Sequence, residues 1–162
     1  MTLNQFRVIA QQKCWGSYAT LFLDDEGAVS DALDSFGMYW IEAGHVMREQ
    51  IANDQLLVRL LRRFLRPYTG MPVELYRGEN WNRWQNRSIG FAWTSGVEVA
   101  RMFGRGLNAV QSGGVLLRAN FKPEAIISGP DDHSKYLGED QYTIDPFSLS
   151  DVSAVELFPP VG

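Results

Sequence analysis

The spacing of apolar residues changes near residue 70, and this change predicts helices before it and strands after it. Over residues 1–70 apolar positions recur every three or four residues, which places them on one side of an α-helix. Over residues 71–162 short stretches alternate between apolar and polar positions and end at turn-forming residues, as β-strands do. We therefore predict an α+β fold in a single domain, with a helical region over 1–70 and a β-rich core over 71–162.

Two amphipathic patterns dominate the helical region. The longer one extends from Val29 to Ile51, preceded by acids at 24–26 that suit a helix N-terminus and interrupted by two glycines that indicate a bend or close packing. The shorter one starts after a cap at Asn53 or Asp54 and stops at Pro67. Its predicted apolar side consists of Leu56, Leu57, Leu60, Leu61, Phe64 and Leu65.

The polar side of the shorter helix carries four arginines and no acid. The ordinary interpretation of such a face is that water solvates it. The alternative is a docking surface for a phosphate backbone or an acidic partner protein, because guanidinium groups suit both. Both interpretations stay open for this arginine face, which comprises Arg59, Arg62, Arg63 and Arg66.

An arginine ends the first predicted strand, which runs from Val73 to Arg77. Alternation places Arg77 on the same inward side as Leu75, and a buried guanidinium needs an anionic partner. The partner is either a carboxylate of the core, which makes a structural salt bridge, or a phosphate group, which a guanidinium can contact with two hydrogen bonds.

Polar residues also mark two later strands. A strand over residues 89–95 ends in Thr94 and Ser95, whose hydroxyls either belong to a site or cap the next predicted helix, over residues 97–103. In a short strand over residues 139–146, Glu139 and Gln141 would project to the same face of an extended chain. The pair forms either a ligand site or the polar outer side of a surface strand.

Composition narrows the possible functions. The chain has 162 residues, 45% of them hydrophobic, and a net charge of −4, so it can bury a core but is not built as a whole for nucleic acid. One cysteine excludes a disulfide framework, and neither histidine has a second ligand at metal spacing, so no metal is predicted. The sequence lacks a Rossmann motif, a P-loop, a signal peptide and a membrane span. We expect a cytoplasmic protein; a domain of a secreted or injected toxin is the alternative.

Taken in order, these pieces resemble the mono-ADP-ribosyltransferases of the arginine–serine–glutamate class. The resemblance covers about residues 72–158 and rests on four segments: 75–78, 91–95 with Ala100 and Phe103, 113–118, and 139–146. It implies a split, twisted pair of small β-sheets with an NAD cleft between them. It also implies transfer of ADP-ribose from NAD, as co-substrate, to a macromolecular acceptor.

The resemblance assigns roles to individual residues. Arg77 would grip the NAD pyrophosphate, the backbone of Gly78 would hold the nicotinamide carboxamide, and residues 104–114 would cover the nicotinamide. Thr94 and Ser95 would support the cleft and order the catalytic strand. Trp93 replaces a hydroxyl of the family and is either a wall against a planar ring or a core residue. The implied NAD-binding set is Tyr76, Arg77, Gly78, Trp93, Thr94, Ser95 and Phe103.

The catalytic position departs from the family pattern. The alternating strand starts at position 141, so Gln141 occupies the slot of the family's catalytic glutamate and Glu139 matches the upstream residue that orients the acceptor. That glutamate hydrogen-bonds the ribose 2′-hydroxyl and stabilises the oxocarbenium ion, for which its charge matters. Three explanations stay open: a Glu→Gln change that silences a toxic enzyme, catalysis by Glu139, or a pseudoenzyme that binds NAD.

The expected function is that of an ADP-ribosyltransferase toxin in a toxin–antitoxin or phage-defence system. Its acceptor would be RNA, DNA or a protein, and a neutralising antitoxin or immunity protein would be its partner; no membrane is involved. The alternatives are an NAD glycohydrolase and a catalytically dead binding module. If Arg77 contacts NAD, Arg77→Ala should weaken NAD binding far more than folding.

Overall fold

A computed structural model describes the backbone of residues 1–162 and the side chains of all residues except Glu26, His133 and Ser134. The protein is 50% helical and contains a six-stranded antiparallel sheet, so the predicted α+β class is confirmed. The chain forms two compact units, Met1–Pro67 and Tyr68–Gly162. Among the described residues, none of the helices has the length and apolar character that crossing a bilayer requires.

The first unit is a cluster of helices around an aromatic core. Phe6 and Trp15 stack with ring centroids 5.9 Å apart, and the Trp15 Nε1–H donates a hydrogen bond to the Tyr39 hydroxyl at 3.3 Å. These contacts stabilise the unit because each ring buries a large apolar surface. The helices are α1 (Leu3–Gln11), α2 (Trp15–Asp24), α3 (Leu33–Ile51) and α4 (Asp54–Phe64).

The helix boundaries correct one prediction and confirm two. The acids at 24–26 do not start the long helix, because Asp24 is the last residue of α2 and Asp25 caps a short 3-10 helix. The bend in α3 is confirmed: Ala43 has a φ of −141°, beside Gly44, whose added Cβ would lie 2.8 Å from the Trp40 ring. In α4, Asn53 is the predicted cap, and the apolar side is buried at Leu57, Val58, Leu60, Leu61 and Phe64.

The second unit is built on one sheet with the strand order β4-β5-β2-β1-β3-β6. Every neighbouring pair is antiparallel. The strands are β1 (Val73–Asn80), β2 (Ala92–Thr94), β3 (Gly114–Phe121), β4 (Ile126–Ser128), β5 (Gln141–Ile144) and β6 (Ser153–Phe158). Three helices accompany them: α5 (Trp81–Gln85), α6 (Val97–Arg105) and α7 (Asp132–Tyr136).

The expected two sheets are joined into one. The half β4-β5-β2 meets the half β1-β3-β6 between β2 and β1, where Tyr76 and Thr94 form the pair that links them. By contrast, β1 pairs with β3 along its whole length, from Val73 to Asn80. The expectation of two separate sheets is therefore corrected, because the pairing of Tyr76 with Thr94 makes the strands continuous.

The two faces of β1 have different surroundings. Leu75 lies on the face that forms the core of this unit, together with Val115 and Leu117 of β3. On the opposite face α6 contacts the backbone directly: a Cβ at Gly78 would overlap the carbonyl oxygen of Ala100 and the nitrogen of Gly104. The sequence predicted a strand that stops before Gly78, but glycine here permits close packing of a helix.

Candidate functional site

A row of polar side chains crosses four strands on the face of the sheet that carries α6. Thr94 pairs with Tyr76 of β1 on one side and with Gln141 of β5 on the other. Tyr76 pairs in turn with Arg118 of β3. Directly opposed residues of neighbouring strands project to the same face. Gln141, Thr94, Tyr76 and Arg118 therefore form one continuous set, which we call the polar row.

Two hydroxyl side chains at the end of β2 form hydrogen bonds beside the polar row. The Thr94 side chain is 6% exposed, and its Oγ1 accepts a hydrogen bond from the backbone N–H of Gly96 at 3.1 Å. The Ser95 hydroxyl donates to Asp140 Oδ2 at 2.5 Å, which ties the end of β2 to the residue before Gln141. The prediction that one of these hydroxyls is the N-cap of α6 is wrong, since that position is Gly96.

The segment before Gln141 departs from the predicted extended chain. Strand β5 starts at Gln141, and Asp140 has a φ of 47°, in the left-handed region. Because this turn breaks the alternation, the argument that Glu139 and Gln141 share a face is wrong. Both side chains are half-buried. The acid that contacts the end of β2 is Asp140, and its sequence context gave no signal for this role.

Arg77 forms a buried ion pair with Glu79, the carboxylate alternative that the sequence left open. The Arg77 Nε donates to Glu79 Oε2 at 2.7 Å, and its Nη1 donates to the carbonyl oxygen of Ala92 at 2.7 Å. The side chains of Arg77 and Glu79 are 13% and 0% exposed. The predicted strand ended at Arg77; continuing its alternation past Gly78 would have put Glu79 on the Arg77 side.

Glu79 is held in its charged form by its surroundings. Burial alone would raise the pKa of Glu79, but the charge of Arg77 and hydrogen bonds from Arg77 and two backbone N–H groups outweigh burial and lower that pKa. The backbone donors are Gly90, at 2.9 Å, and Asn80, at 2.8 Å. The carboxylate thus joins the end of β1 to the segment that leads into β2.

Arg77 and the polar row lie on opposite faces of β1. Tyr76 is the neighbour of Arg77 in the strand, and successive side chains of a strand point to opposite faces. The charge of Arg77 is also compensated by Glu79 within the core. The structure thus brings Tyr76, Thr94 and Gln141 together but leaves Arg77 outside this row.

The segment after α6 is bound to the end of β1. Asn108 Nδ2 donates to the carbonyl oxygen of Gly78 at 2.6 Å, and Asn80 Nδ2 donates to the carbonyl oxygens of Asn108 and Val110. A short 3-10 helix, Leu107–Ala109, lies within this segment. The backbone of Gly78, which was expected to hold a nicotinamide carboxamide, therefore already accepts a hydrogen bond from the protein at its carbonyl oxygen.

Trp93 is a core residue. Its side chain is 2% exposed and packs edge-on against Phe121, with ring centroids 5.0 Å apart. Among the described residues its Nε1–H has no hydrogen-bond acceptor. Phe103 is half-buried on α6. Alternation along β2 places Trp93 on the opposite face from Thr94, so it does not line the polar row.

A groove of 580 Å³ adjoins the polar row at the start of β1 and the end of β3. Glu74, Asn120 and Lys122 are among the residues that line it. The Tyr76 hydroxyl donates to Glu74 Oε1 at 2.7 Å, so one carboxylate is shared between the groove and the polar row. This hydrogen bond and burial raise the pKa of Tyr76, whereas the positive charges of Arg118 and Arg101 act in the opposite direction.

The arginine face of the first unit is exposed, as predicted. An acid from outside the helix contacts it: Arg66 Nη2 lies 2.9 Å from Asp34 Oδ1, and both side chains are more than 80% exposed. Arg62 and Arg63 also take part in interactions. Whether this face binds a partner stays a prediction.

Comparison with known proteins assigns no family. No protein-family model, curated protein or solved structure matches the chain. Within the described residues, no group of three or more His, Cys, Asp and Glu side chains is placed to hold a metal ion. Any function must therefore be argued from the polar row and its neighbours.

Proposed function

We propose that the chain is an NAD-dependent mono-ADP-ribosyltransferase in which Gln141 occupies the catalytic glutamate position. The polar row carries this proposal: Tyr76, Thr94 and Gln141 come from separate segments of the sequence and lie on three adjacent strands. The bond from Ser95 to Asp140 supports it further, because it fixes the start of β5 beside the end of β2. These are the strands that the resemblance assigns to the reaction.

The reaction separates a sugar from a good leaving group. The C1′–N bond of NAD breaks, nicotinamide leaves with the bonding electron pair, and C1′ bonds to a nucleophilic atom of the acceptor, which loses a proton. Positive charge develops on the ribose in the transition state, so an anion at position 141 would stabilise it. The Gln141 carboxamide can accept a hydrogen bond from a ribose hydroxyl but supplies no charge.

The geometry changes the role proposed for Arg77. A guanidinium that donates to Glu79 and Ala92 inside the core acts as a positioning residue rather than as a contact for a phosphate. Thr94, whose Oγ1 accepts from Gly96, still has its hydroxyl hydrogen to donate toward a ligand. The residues proposed to contact an NAD ribose are therefore Gln141, which is half-buried, and Thr94, which is largely buried, on the polar-row face of β2.

The proposal is tested with NAD labelled on the adenylate phosphate and the variant Gln141→Glu. We expect Gln141→Glu to cleave NAD at least about 10²-fold faster than the natural chain, since it restores the missing charge. The label should appear on RNA, DNA or protein from a cell extract. The double variant Glu139→Gln/Gln141→Glu is the control. If Glu139 only orients the acceptor, this variant should still cleave NAD but label less of the acceptor.

Each outcome selects one function. Labelled macromolecules identify a transferase and name its acceptor class. Release of free ADP-ribose without labelled acceptor would instead identify an NAD glycohydrolase. If Gln141→Glu neither consumes NAD nor slows growth when it is expressed, the chain is a binding module.

The same chemistry suits a toxin of a toxin–antitoxin or phage-defence system that acts in the cytoplasm. An enzyme that modifies RNA, DNA or protein in the cell that makes it would need a neutralising antitoxin or immunity protein. Growth arrest caused by Gln141→Glu, and its relief by a co-expressed partner, would support this role. Arrest by the natural chain to the same degree would mean that position 141 does not control toxicity.

A further inference from the structure

The polar row ends at Arg118, whose charge is not paired with a described side chain of the protein. Arg118 is exposed, and it has neither a hydrogen-bond nor an ion-pair partner among the side chains that the structure describes. The other arginines nearby differ. Arg77 is paired with Glu79, and Arg101 is paired with Glu98 and Glu156. Arg118 is therefore available to an anion from outside the protein.

The position of Arg118 relative to Gln141 suits a nucleotide diphosphate. The two residues are three strand spacings apart along the polar row, or about 14 Å between Cα atoms at roughly 4.8 Å per strand. An arginine side chain directed along the row covers part of that separation. A ribose held near Gln141 and Thr94 would then direct its 5′-phosphate toward Tyr76 and Arg118.

The neighbouring acid bonds to Tyr76 and makes no ion pair with Arg118. Glu74 lies on the same face of β1, but its carboxylate accepts the Tyr76 hydroxyl at 2.7 Å. No ion pair joins Glu74 to Arg118 within the described residues. The adjoining groove is lined by Lys122 and also by the acids Glu74, Glu124 and Asp151, so it adds no net positive charge.

We propose that Arg118 binds the diphosphate of NAD, the contact first assigned to Arg77. This inference rests on the proposed function. It gives the polar row groups for two parts of the dinucleotide: an amide and a hydroxyl for one ribose, and a guanidinium for the phosphates. A guanidinium suits this task because it presents several N–H donors to phosphate oxygens.

The test is calorimetric titration of the natural chain and of Arg118→Gln with NAD, ADP-ribose and adenosine. Because Gln141 lacks the catalytic charge, NAD should persist during the titration. We expect Arg118→Gln to bind NAD and ADP-ribose about 10- to 100-fold more weakly, which is the usual cost of losing a charge-assisted hydrogen bond. Adenosine has no phosphate, so its binding should not change.

Two variants control for charge and for folding. Arg83 is exposed on α5 and lies outside the polar row, so Arg83→Gln removes the same charge and should bind NAD normally. Arg118→Lys keeps the charge without the planar donors and should recover part of the affinity. An unchanged melting temperature for all three variants would attribute the losses to binding.

The outcomes separate this inference from the proposed function. If the natural chain binds NAD and Arg118→Gln binds it equally well, the inference is wrong and the function stands. If the natural chain binds no NAD, both fail. If Arg118→Gln leaves NAD affinity unchanged but reduces labelling of the acceptor by Gln141→Glu, then Arg118 contacts the acceptor, and the assignment to the diphosphate is overturned.

Discussion

The ion pair between Arg77 and Glu79 gives the inward-facing arginine of β1 a structural role. Alternation correctly placed Arg77 on the inward side of β1, and burial required an anion beside it. Glu79 supplies that anion from the same strand, two residues further on, where the side chains share a face. The pair also binds Ala92 and Gly90, so it fixes the start of β2 relative to β1.

Replacement of Arg77 should therefore make the protein easier to unfold. We expect Arg77→Ala to lower the free energy of unfolding by about 3–5 kcal/mol, because Glu79 would be left buried without its counter-charge. Urea denaturation of Arg77→Ala, with Arg83→Ala as the exposed control, measures the effect. Equal stability of Arg77→Ala and Arg83→Ala would contradict a structural role and restore the earlier expectation that binding suffers more than folding.

Glu79 should also make stability depend on pH. Its pKa is lowered in the folded protein, so its contribution is present above the ordinary glutamate pKa, about 4.3, and is lost as the pH falls through the lower folded value. We expect the stability difference between the natural chain and Glu79→Gln to be constant at neutral pH and to shrink in acid. Free energies of unfolding from pH 3 to pH 7 test this, and a constant difference across that range would refute it.

At the scale of elements, the contact of α6 with β1 and β3 depends on glycine. A Cβ at Gly78 would overlap backbone atoms of Ala100 and Gly104, and a Cβ at Gly114 would overlap the carbonyl oxygen of Gly104. Backbone cannot move aside as a flexible side chain can. Helix α6 is thus held against the strands that bear Tyr76 and Arg118, and it limits the polar row on one side.

Gly78→Ala should consequently separate α6 from the sheet. We expect a loss of about 1–3 kcal/mol or more, the usual cost of overpacking. Gly16→Ala is the matched control: it lies in α2, where an added Cβ would meet its nearest neighbour at 3.5 Å, so it should stabilise by up to about 1 kcal/mol. Opposite shifts in melting temperature would agree with this account, whereas two equal shifts would not.

The sequence was informative about individual elements and less so about how they meet. Helix α4 was recognisable because its apolar pattern is long and regular. Helix α2 was missed, and β1 was cut short because glycine more often ends a strand than continues it. The sequence singled out Thr94 and Gln141, but the pairing of Thr94 with both Gln141 and Tyr76 joins segments far apart in the chain. Such pairing depends on register, which local patterns do not encode.

For the whole molecule, the residues of the candidate site belong to one of its two units. The polar row, the buried ion pair and the groove all belong to Tyr68–Gly162. The helical unit has its own aromatic core and carries the exposed arginine face. The net charge of −4 does not favour nucleic acid overall, so any attraction to phosphate must come from local sites such as Arg118.

Each half of the sheet is assembled from strands that lie far apart in the chain, and only the pair of Tyr76 and Thr94 joins the two halves. The chain passes between the halves four times, from β1 to β2, from β2 to β3, from β3 to β4 and from β5 to β6. Neither half is therefore encoded by a continuous stretch of sequence. During synthesis, β3 cannot pair fully with β6 until Phe158, the last residue of β6, has left the ribosome. A translation product that stops before Ser153 would leave that edge of β3 unpaired and open to pairing with another chain.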